Sequence, residues 1–321
     1  MRKVILDVDT GSDDAVAIMT ALLCPDLEVV GICTVWGNMN VDLTTDNTLR
    51  LLDRLGKPVP VYKGCGTAMV KYLAPRCASN DYKPVFKDGK ELKIHYDHLE
   101  GLEPTDWKEE DMDAVSFYVN KLRNTDEKLT LIPVGPLTNL GEALSIAPDI
   151  AENIEEIVLM GGGEDIANVT PCAEANIWHD PEAAQKVLDC GAKVTFIPLD
   201  ATHSVALDLE DCKTLRSLGS FAGDFAATMT EQRIEYEHAA IGPGKISTAI
   251  HDALAVCAVI DRSILTDVEE AHVEIGLDGY NEGETIVDHA ADPADINASF
   301  AKKADKKMFM DMLCRYLKEG K

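Results

Sequence analysis

Four aspartates lie close together near the N-terminus, at Asp7, Asp9, Asp13 and Asp14. Negative charges at this spacing repel one another, so a fold that keeps them together must neutralise them. The pattern Asp-x-Asp followed by Gly11 is typical of a tight turn that directs several carboxylates toward one point. Converging carboxylate oxygens are the ligands that Ca²⁺ and Mg²⁺ prefer. The stretch therefore predicts a site for a hard divalent cation.

Part of this cluster also has a purely structural interpretation. A predicted helix over 14–24 begins where the aspartate stretch ends, and Ser12 or Asp13 is a suitable N-cap residue for it. Acidic side chains in the first helical turn interact favourably with the helix dipole, which would account for Asp13 and Asp14. Asp7 and Asp9 precede the helix and are not explained in this way, so they favour the metal site.

Further acids and amides follow other predicted strands. Asn38 lies after the second strand, and His251 with Asp252 opens a later helix. The stretch 168–176 contributes Asn168, Glu174 and Asn176. Carboxylates and amides gathered beside a metal would suit a ligand that carries several hydroxyl groups.

Short apolar runs alternate with helical patterns over the first part of the chain. Strands are predicted at 3–7, 27–35, 59–63, 129–134, 157–160 and 193–199, and helices at 14–24, 41–55, 137–147 and 181–190. This alternation is typical of an α/β fold with an open, mostly parallel sheet flanked by helices. Such sheets bind ligands at the carboxyl ends of their strands, where the polar residues fall.

Two regions depart from the alternation. The stretch 68–104 is rich in charge, proline and glycine, and predicts a lid or a binding loop. Past residue 207 the pattern is mostly helical and predicts a helical cap region, with strand-like runs at 271–277 and 284–287 and a last helix near 302–318. Because neither a linker nor a repeat interrupts the chain, we expect a single domain over 1–321.

The composition narrows the classes of partner. The net charge of −26 disfavours binding to nucleic acids and to anionic membranes, and a small molecule is the expected ligand. No apolar stretch reaches membrane-spanning length, and nine cysteines without paired spacing predict free thiols in a reducing, cytoplasmic setting.

Two known metal loops can be compared with the aspartate stretch. An EF-hand counted from Asp7 requires a glycine where Ser12 stands and a glutamate where Ile18 stands, so it does not fit. Haloacid-dehalogenase-like phosphohydrolases begin with a similar Asp-x-Asp turn after a strand, which makes them an alternative. However, the pair Asp13 and Asp14 has no counterpart in that pattern.

The motifs taken together resemble the nucleoside hydrolases of the inosine–uridine-preferring type. The resemblance extends over essentially the whole chain and rests on five motifs in the same order, at 7–14, 34–38, 158–163, 174–176 with 180–184, and 251–252. It implies an open α/β fold, one bound Ca²⁺, hydrolysis of the N-glycosidic bond of ribonucleosides, and a homodimer or homotetramer.

The resemblance also implies a role for individual residues. Ca²⁺ would be held by Asp9, Asp14, Asp252 and the main-chain carbonyl of Val134. Asp9 would act as general base for the attacking water, and His251 would face the leaving base and supply its proton. The substrate-binding residues would be Asp13, Asn38, Asn168, Glu174, Asn176 and Asp252. An oxocarbenium-like transition state is stabilised by carboxylates and amide oxygens of this kind.

The base-binding part departs from the family pattern. Many relatives carry His-Gly-x-x-Gly-Leu in the loop where this chain reads "IHYDHLEGLE", and neither His95 nor His98 lies at the usual distance from Gly101. The aromatic residues that could stack on a base are Trp36, Tyr82, Trp178 and Tyr236.

The alternative from a different functional class is a non-catalytic protein that binds ribose or a nucleoside through the metal. All the polar residues needed for turnover are present, which favours the enzyme.

Overall fold

The computed structural model describes residues 1–70 and 84–321, and a nine-stranded sheet forms the centre of the molecule. The described residues form thirteen strands, of which nine make up the central sheet and four form two small antiparallel pairs, β4 with β5 and β9 with β10. The strands are β1 (Arg2–Val8), β2 (Leu27–Thr34), β3 (Val61–Lys63), β4 (Val85–Lys87), β5 (Lys90–Leu92), β6 (Leu129–Pro133), β7 (Ile154–Met160), β8 (Val194–Ile197), β9 (Leu207–Asp208), β10 (Ser247–Thr248), β11 (Leu265–Ile275), β12 (Thr285–Asp288) and β13 (Ala298–Ala304). The order across the large sheet is β12-β11-β13-β8-β7-β6-β1-β2-β3. From β13 to β3 all neighbours are parallel, whereas β11 is antiparallel to both β13 and β12.

Helices cover both faces of this sheet. They are α1 (Ser12–Leu23), α2 (Val41–Leu55), α3 (Ala114–Arg123), α4 (Thr138–Ile146), α5 (Ala175–His179), α6 (Pro181–Leu188), α7 (Leu199–His203), α8 (Leu209–Arg216), α9 (Phe221–Ile241), α10 (His251–Ile260) and α11 (Lys306–Leu317). The α/β class with a mostly parallel sheet is confirmed.

The central strand β1 shows why the sheet is buried on both faces. Its residues from Val4 to Val8 are all buried, and their side chains alternate between the two faces. Val4 and Leu6 belong to the hydrophobic cluster that includes α1 and α10, while Ile5 belongs to the cluster that includes α3 and α4. A strand enclosed in this way is nearly continuous in apolar residues until it reaches the carboxyl edge.

Several boundaries differ from those predicted. The last helix begins at Lys306, and the preceding residues form β13 in the interior of the sheet. Lys302 and Lys303, at the predicted start of that helix, are instead the partly solvated end of a strand whose first four residues are buried. The strand-like runs predicted at 271–277 and 284–287 overlap β11 and β12, and β13 is the strand that was not predicted; all three extend the main sheet.

The predicted loop at 68–104 contains a short hairpin, β4–β5, in its described part. The hairpin lies against α9, where Lys87 forms an ion pair with Glu235 at 2.5 Å. Tyr82 lies outside the described residues.

In the described ranges, none of the helices combines the length and the apolar character needed to cross a bilayer. The eight cysteines of those ranges are all free thiols.

Candidate active site

A cavity of about 250 Å³ opens at the carboxyl ends of the central strands. It is lined by nine of the residues singled out from the sequence: Asp9, Asp13, Asn38, Val134, Asn168, Glu174, Asn176, His251 and Asp252. Asp14 is fully buried directly behind this wall. The structure therefore brings the predicted metal-binding, catalytic and substrate-binding residues to one place. Asp7, which the sequence also favoured for the metal site, does not line the cavity, and its carboxylate accepts hydrogen bonds from Tyr118 and Asn139 instead.

The turn between β1 and α1 is closed by the carboxylate of Asp14. Its two oxygens accept hydrogen bonds from the backbone N–H groups of Asp9, at 3.0 Å, and Gly11, at 2.9 Å. The expected N-cap, Ser12 or Asp13, is wrong, because Gly11 occupies that position and Asp14 binds back to it from the third helical residue. Asp14 thereby fixes the loop that carries Asp9 and Asp13.

The carboxylate of Asp9 is held between two loops. Its Oδ2 accepts a hydrogen bond from the backbone N–H of Asn38 at 2.7 Å. A Cβ added at Gly37 would lie 2.2 Å from Oδ2, and one at Gly135 would lie 2.7 Å from Oδ1. The two glycines are needed because any side chain at either position would displace this carboxylate.

Three carboxylates converge closely enough to hold one cation. Asp13, Asp14 and Asp252 each offer an oxygen, and these oxygens lie within 4.8 Å of one another. Asp14 and Asp252 were both predicted as metal ligands. Asp13, predicted to bind the sugar, completes the group, whereas Asp9 lies beside it. The fourth predicted ligand, the Val134 carbonyl, accepts a hydrogen bond from Asn176 Nδ2 at 2.8 Å.

The carboxylates of this group and the neighbouring Asp9 repel one another, and a bound cation would reduce that repulsion. Burial, followed by the negative charges of Asp13 and Asp14, raises the pKa of Asp252 well above its usual value. Burial and the charge of Asp13 raise the pKa of Asp14 to about 6. Burial and the charge of Asp14 raise the pKa of Asp9. Buried carboxylates that repel one another, with oxygen donors only, fit a hard divalent cation.

The start of α5 presents an acid and an amide to the same cavity. Glu174 Oε2 accepts hydrogen bonds from the backbone N–H groups of Gly162 and Asn176, both at 2.9 Å, and caps the helix. Asn176 Nδ2 also donates to the Met160 carbonyl at 3.1 Å. The Asn168 side chain accepts a hydrogen bond from the backbone N–H of Ala175 at 3.0 Å. These contacts hold the three side chains at the cavity wall.

His251 begins α10 on the same wall. Its Nδ1 lies 2.8 Å from the hydroxyl oxygen of Thr202, and its Nε2 makes no hydrogen bond within the described part of the chain. Burial, followed by the positive charge of Arg233, lowers the pKa of His251 to about 3. The ring is therefore neutral near pH 7 and carries its proton on one nitrogen.

His95 and Arg233 also line the cavity, and neither had been assigned a role in the site from the sequence. His95 Nδ1 accepts a hydrogen bond from the backbone N–H of Ser12 at 3.2 Å, so its neutral ring carries the proton on Nε2. Burial lowers the pKa of His95 to about 4, and Arg233 contributes to this decrease. His98 instead lies on the surface, 3.4 Å from Asp46. The loop places its first histidine in the site despite the altered spacing.

The described aromatic candidates for base stacking do not line the cavity. Trp36 contacts the edge of His179, with ring centroids 5.0 Å apart, and donates to Thr138. Trp178 is buried in the α5 region, and Tyr236 lies on α9. His179 does line the cavity, beside Trp36 and Trp178.

Known proteins share both the sequence pattern and the fold. A family model described as inosine-uridine preferring nucleoside hydrolase matches residues 4–311. The pyrimidine-specific ribonucleoside hydrolase RihA of Escherichia coli O1:K1 / APEC is 32% identical over 318 residues, which is 98% of each chain. The solved purine-preferring ribonucleoside hydrolase from Gardnerella vaginalis is 32% identical, with a TM-score of 0.85 over 99% of this chain and 98% of its own. A solved inosine-guanosine nucleoside hydrolase is 25% identical, with a TM-score of 0.83 over 99% of each chain.

The chain belongs to the inosine-uridine preferring nucleoside hydrolase family. It is accordingly an enzyme of the nucleoside N-ribohydrolase class, as the resemblance of its motifs predicted. The haloacid-dehalogenase-like alternative is wrong, because the family match extends from the aspartate turn to the last helix.

The contact between Gly11 and His95 yields a first prediction. A Cβ at position 11 would lie 2.0 Å from His95 Nδ1, so Gly11→Ala must displace the ring from the cavity wall. We expect kcat/KM for the best nucleoside substrate to fall by roughly 10–100-fold, as for a misplaced site residue. In a His95→Ala background, Gly11→Ala should lower kcat/KM only slightly further, because the ring with which the added Cβ would clash is absent.

Gly56→Ala is the matched control, since Gly56 ends α2 at φ 62° with no atom within 4 Å of the added Cβ. It should lower the free energy of unfolding by about 1 kcal/mol and leave kcat/KM unchanged. Fully additive losses in the Gly11→Ala/His95→Ala double variant would contradict the proposed contact.

Proposed function

We propose that this enzyme hydrolyses ribonucleosides in a Ca²⁺-dependent reaction in which Asp9 activates the attacking water. The main support for this proposal is that two sets of residues lie at the same cavity: the carboxylates that could hold a cation, and a second set of acids and amides. The first set suits a metal and a water, and the second suits the hydroxyl groups of a ribose.

The transition state explains why the site is so acidic. When the bond between C1′ and the base nitrogen breaks, positive charge develops on the sugar ring. Asp9, Asp13, Glu174 and Asp252 line the cavity with carboxylates that the fold holds in position, and a bound cation would keep the carboxylates beside it ionised. Preorganised charges of this kind stabilise a developing charge without reorganisation, which is the main electrostatic route to catalysis.

Asp9 is the residue best placed to accept a proton from the water. It lies at the cavity wall beside the converging carboxylates, and its orientation is fixed by Asn38 and by the loops of Gly37 and Gly135. The water oxygen then bonds to C1′, and its proton passes to Asp9.

The bound cation would be held by Asp9, Asp14, Asp252 and the Val134 carbonyl, and Asp13 would add a carboxylate beside Asp14 and Asp252. When bound, Ca²⁺ supplies positive charge that orients a water and lowers its pKa. One lone pair of the Val134 carbonyl oxygen accepts the hydrogen bond from Asn176, so the other lone pair would be the one available to the cation.

His251 is proposed to contact the departing base. The ring is neutral at pH 7, so its contribution is a hydrogen bond that strengthens as negative charge builds on the base nitrogen, and along which a proton passes. Thr202 orients the ring through Nδ1. The ribose hydroxyls would be bound by Asp13, Asn38, Asn168, Glu174, Asn176 and Asp252.

The direct test is release of reducing sugar from a panel of nucleosides. The panel spans purines and pyrimidines, because the named relatives differ in their preference. Ribose released from at least one of them supports the proposal, and a chain that binds nucleosides without releasing sugar would be the non-catalytic alternative. Sedimentation should show a homodimer or homotetramer, and we expect the protein in the cytoplasm.

Metal binding gives the second prediction. The purified chain should bind about one Ca²⁺, as a site of this kind would. Asp252→Asn should abolish calorimetrically detected Ca²⁺ binding and the rise in melting temperature that Ca²⁺ produces. Asp261→Asn, at the opposite and exposed end of α10, should retain both. Bound zinc, or turnover that survives exhaustive chelation, would refute the calcium proposal.

His251 gives the third prediction. His251→Ala should lower kcat for nucleosides by roughly 10²–10⁴-fold, the range for loss of a general acid. His203, whose ring lies 5.6 Å from that of His251 but outside the cavity lining, is the matched control. His203→Ala should change kcat by less than about tenfold. Similar losses in both variants would indicate that the pair is important only for packing.

The ribose site gives the fourth prediction. If a substrate lacks a hydroxyl that the acids and amides expect, those groups stay unpaired in the complex. Discrimination at such sites reaches roughly 10⁴–10⁵-fold, so 2′-deoxynucleosides should be very poor substrates, with the loss largely in kcat. Values of kcat/KM for uridine and deoxyuridine within about tenfold of each other would contradict this assignment.

A further inference from the structure

Arg233 is a buried cation at the wall of an otherwise acidic cavity. It lies on α9 and is 5% exposed. Its Nη1 donates to Asp13 Oδ1 and to the hydroxyl of Ser12, both at 3.1 Å. Among the described residues that line the cavity, Arg233 alone carries a permanent positive charge.

The guanidinium has more donors than these contacts use. Its Nε is buried without a hydrogen-bond partner in the described ranges, and Nη2 makes no hydrogen bond there. An arginine presents five N–H donors in a fixed planar arrangement. A buried donor left unpaired is destabilising, so a side chain kept in this state at a cavity wall is suited to an acceptor atom that a ligand supplies.

The position of Arg233 matches the separation of charge in the reaction. Asp13 and Asp252 stabilise positive charge on the sugar, and the bonding electron pair leaves with the base. The base therefore becomes negative as the sugar becomes positive. Arg233 is hydrogen-bonded to Asp13, and it lines the same cavity as His95 and His251, close enough for its positive charge to lower the pKa of both rings.

We propose that Arg233 binds the departing base. It donates from the free edge of its guanidinium to a carbonyl oxygen or ring nitrogen of the base, and it stabilises the negative charge that develops as the bond to C1′ breaks. Water supplies the hydroxyl that bonds to C1′, and its proton passes to Asp9. The base takes up a proton from His251 as it leaves, after which His251 regains a proton from solvent and Asp9 releases one to it. This assignment rests on the proposed hydrolysis of ribonucleosides.

A second possibility is that Arg233 acts on the substrate only through Asp13. Burial would raise the pKa of Asp13, but the charge of Arg233, together with His95 and His251, outweighs it, and that pKa is lowered. An arginine that merely keeps Asp13 ionised would support the ribose site and be equally important for every riboside. The two roles therefore differ in how they depend on the leaving group.

The experiment compares Arg233→Gln with the unchanged enzyme on two substrates. One is the nucleoside that the enzyme cleaves fastest, and the other is 4-nitrophenyl β-D-ribofuranoside, whose leaving group stabilises its own negative charge. We expect kcat for the nucleoside to fall by about 10²–10³-fold, as when one preorganised donor is removed. The nitrophenyl riboside should lose less than about tenfold.

Equal losses on both substrates would overturn the proposal in favour of the role through Asp13, and no loss on either would exclude both roles. If the unchanged enzyme released sugar from neither substrate, the proposed hydrolysis itself would be wrong. If Arg233→Gln does not fold, Arg233→Lys provides the same comparison with the positive charge kept. Its loss on the nucleoside should again exceed that on the nitrophenyl riboside, and equal losses would overturn the proposal.

Arg216→Gln is the matched control. Arg216 lies on α8 and pairs with Glu231 of α9 at 2.5 Å, two residues before Arg233, but on the surface. The variant removes an arginine contact to α9, the helix that carries Arg233, and it leaves the cavity lining unchanged. Both substrates should be cleaved as by the unchanged enzyme.

Discussion

The site depends on the two hydrogen bonds that the Asp14 carboxylate accepts from the backbone of its own loop. These bonds set the turn between β1 and α1, and thereby place Asp9 on one side and Asp13 on the other. The free energy gained in closing the turn offsets part of the cost of burying like charges. Other parts of the site bind to this turn: the backbone N–H of Asn38 donates to Asp9, and Arg233 of α9 donates to Asp13.

The features that sequence could predict are those encoded locally. The alternation of strands and helices indicated the sheet, and the aspartate spacing indicated a metal site before any relative was considered. Arg233 had no local signal, because its partner Asp13 is 220 positions away and an arginine within a helix is usually solvated. β13 was missed because its two lysines imitate a helix surface, although they only mark where the strand leaves the core. His95 could be placed only once the path of its loop was known.

The arrangement also explains how one cavity can hold so much charge of one sign. The acids do not share a single neutralising partner. Asp13 is paired with a guanidinium, Glu174 with the backbone N–H groups of α5, and Asp14 with the turn. A cation then has to neutralise only the charge that these fixed contacts leave. The site can therefore be preorganised before any metal or substrate arrives.

The position of β13 in the sheet has a consequence for synthesis of the chain. This strand, at residues 298–304, pairs with β8 at residues 194–197, so an interior position of the sheet is filled by a segment that is synthesised well after its neighbour. Until then β8 is an edge strand whose backbone groups are open to other chains. The nascent protein thus passes through a stage in which it is vulnerable to aggregation, and that stage lasts until β13 has been made.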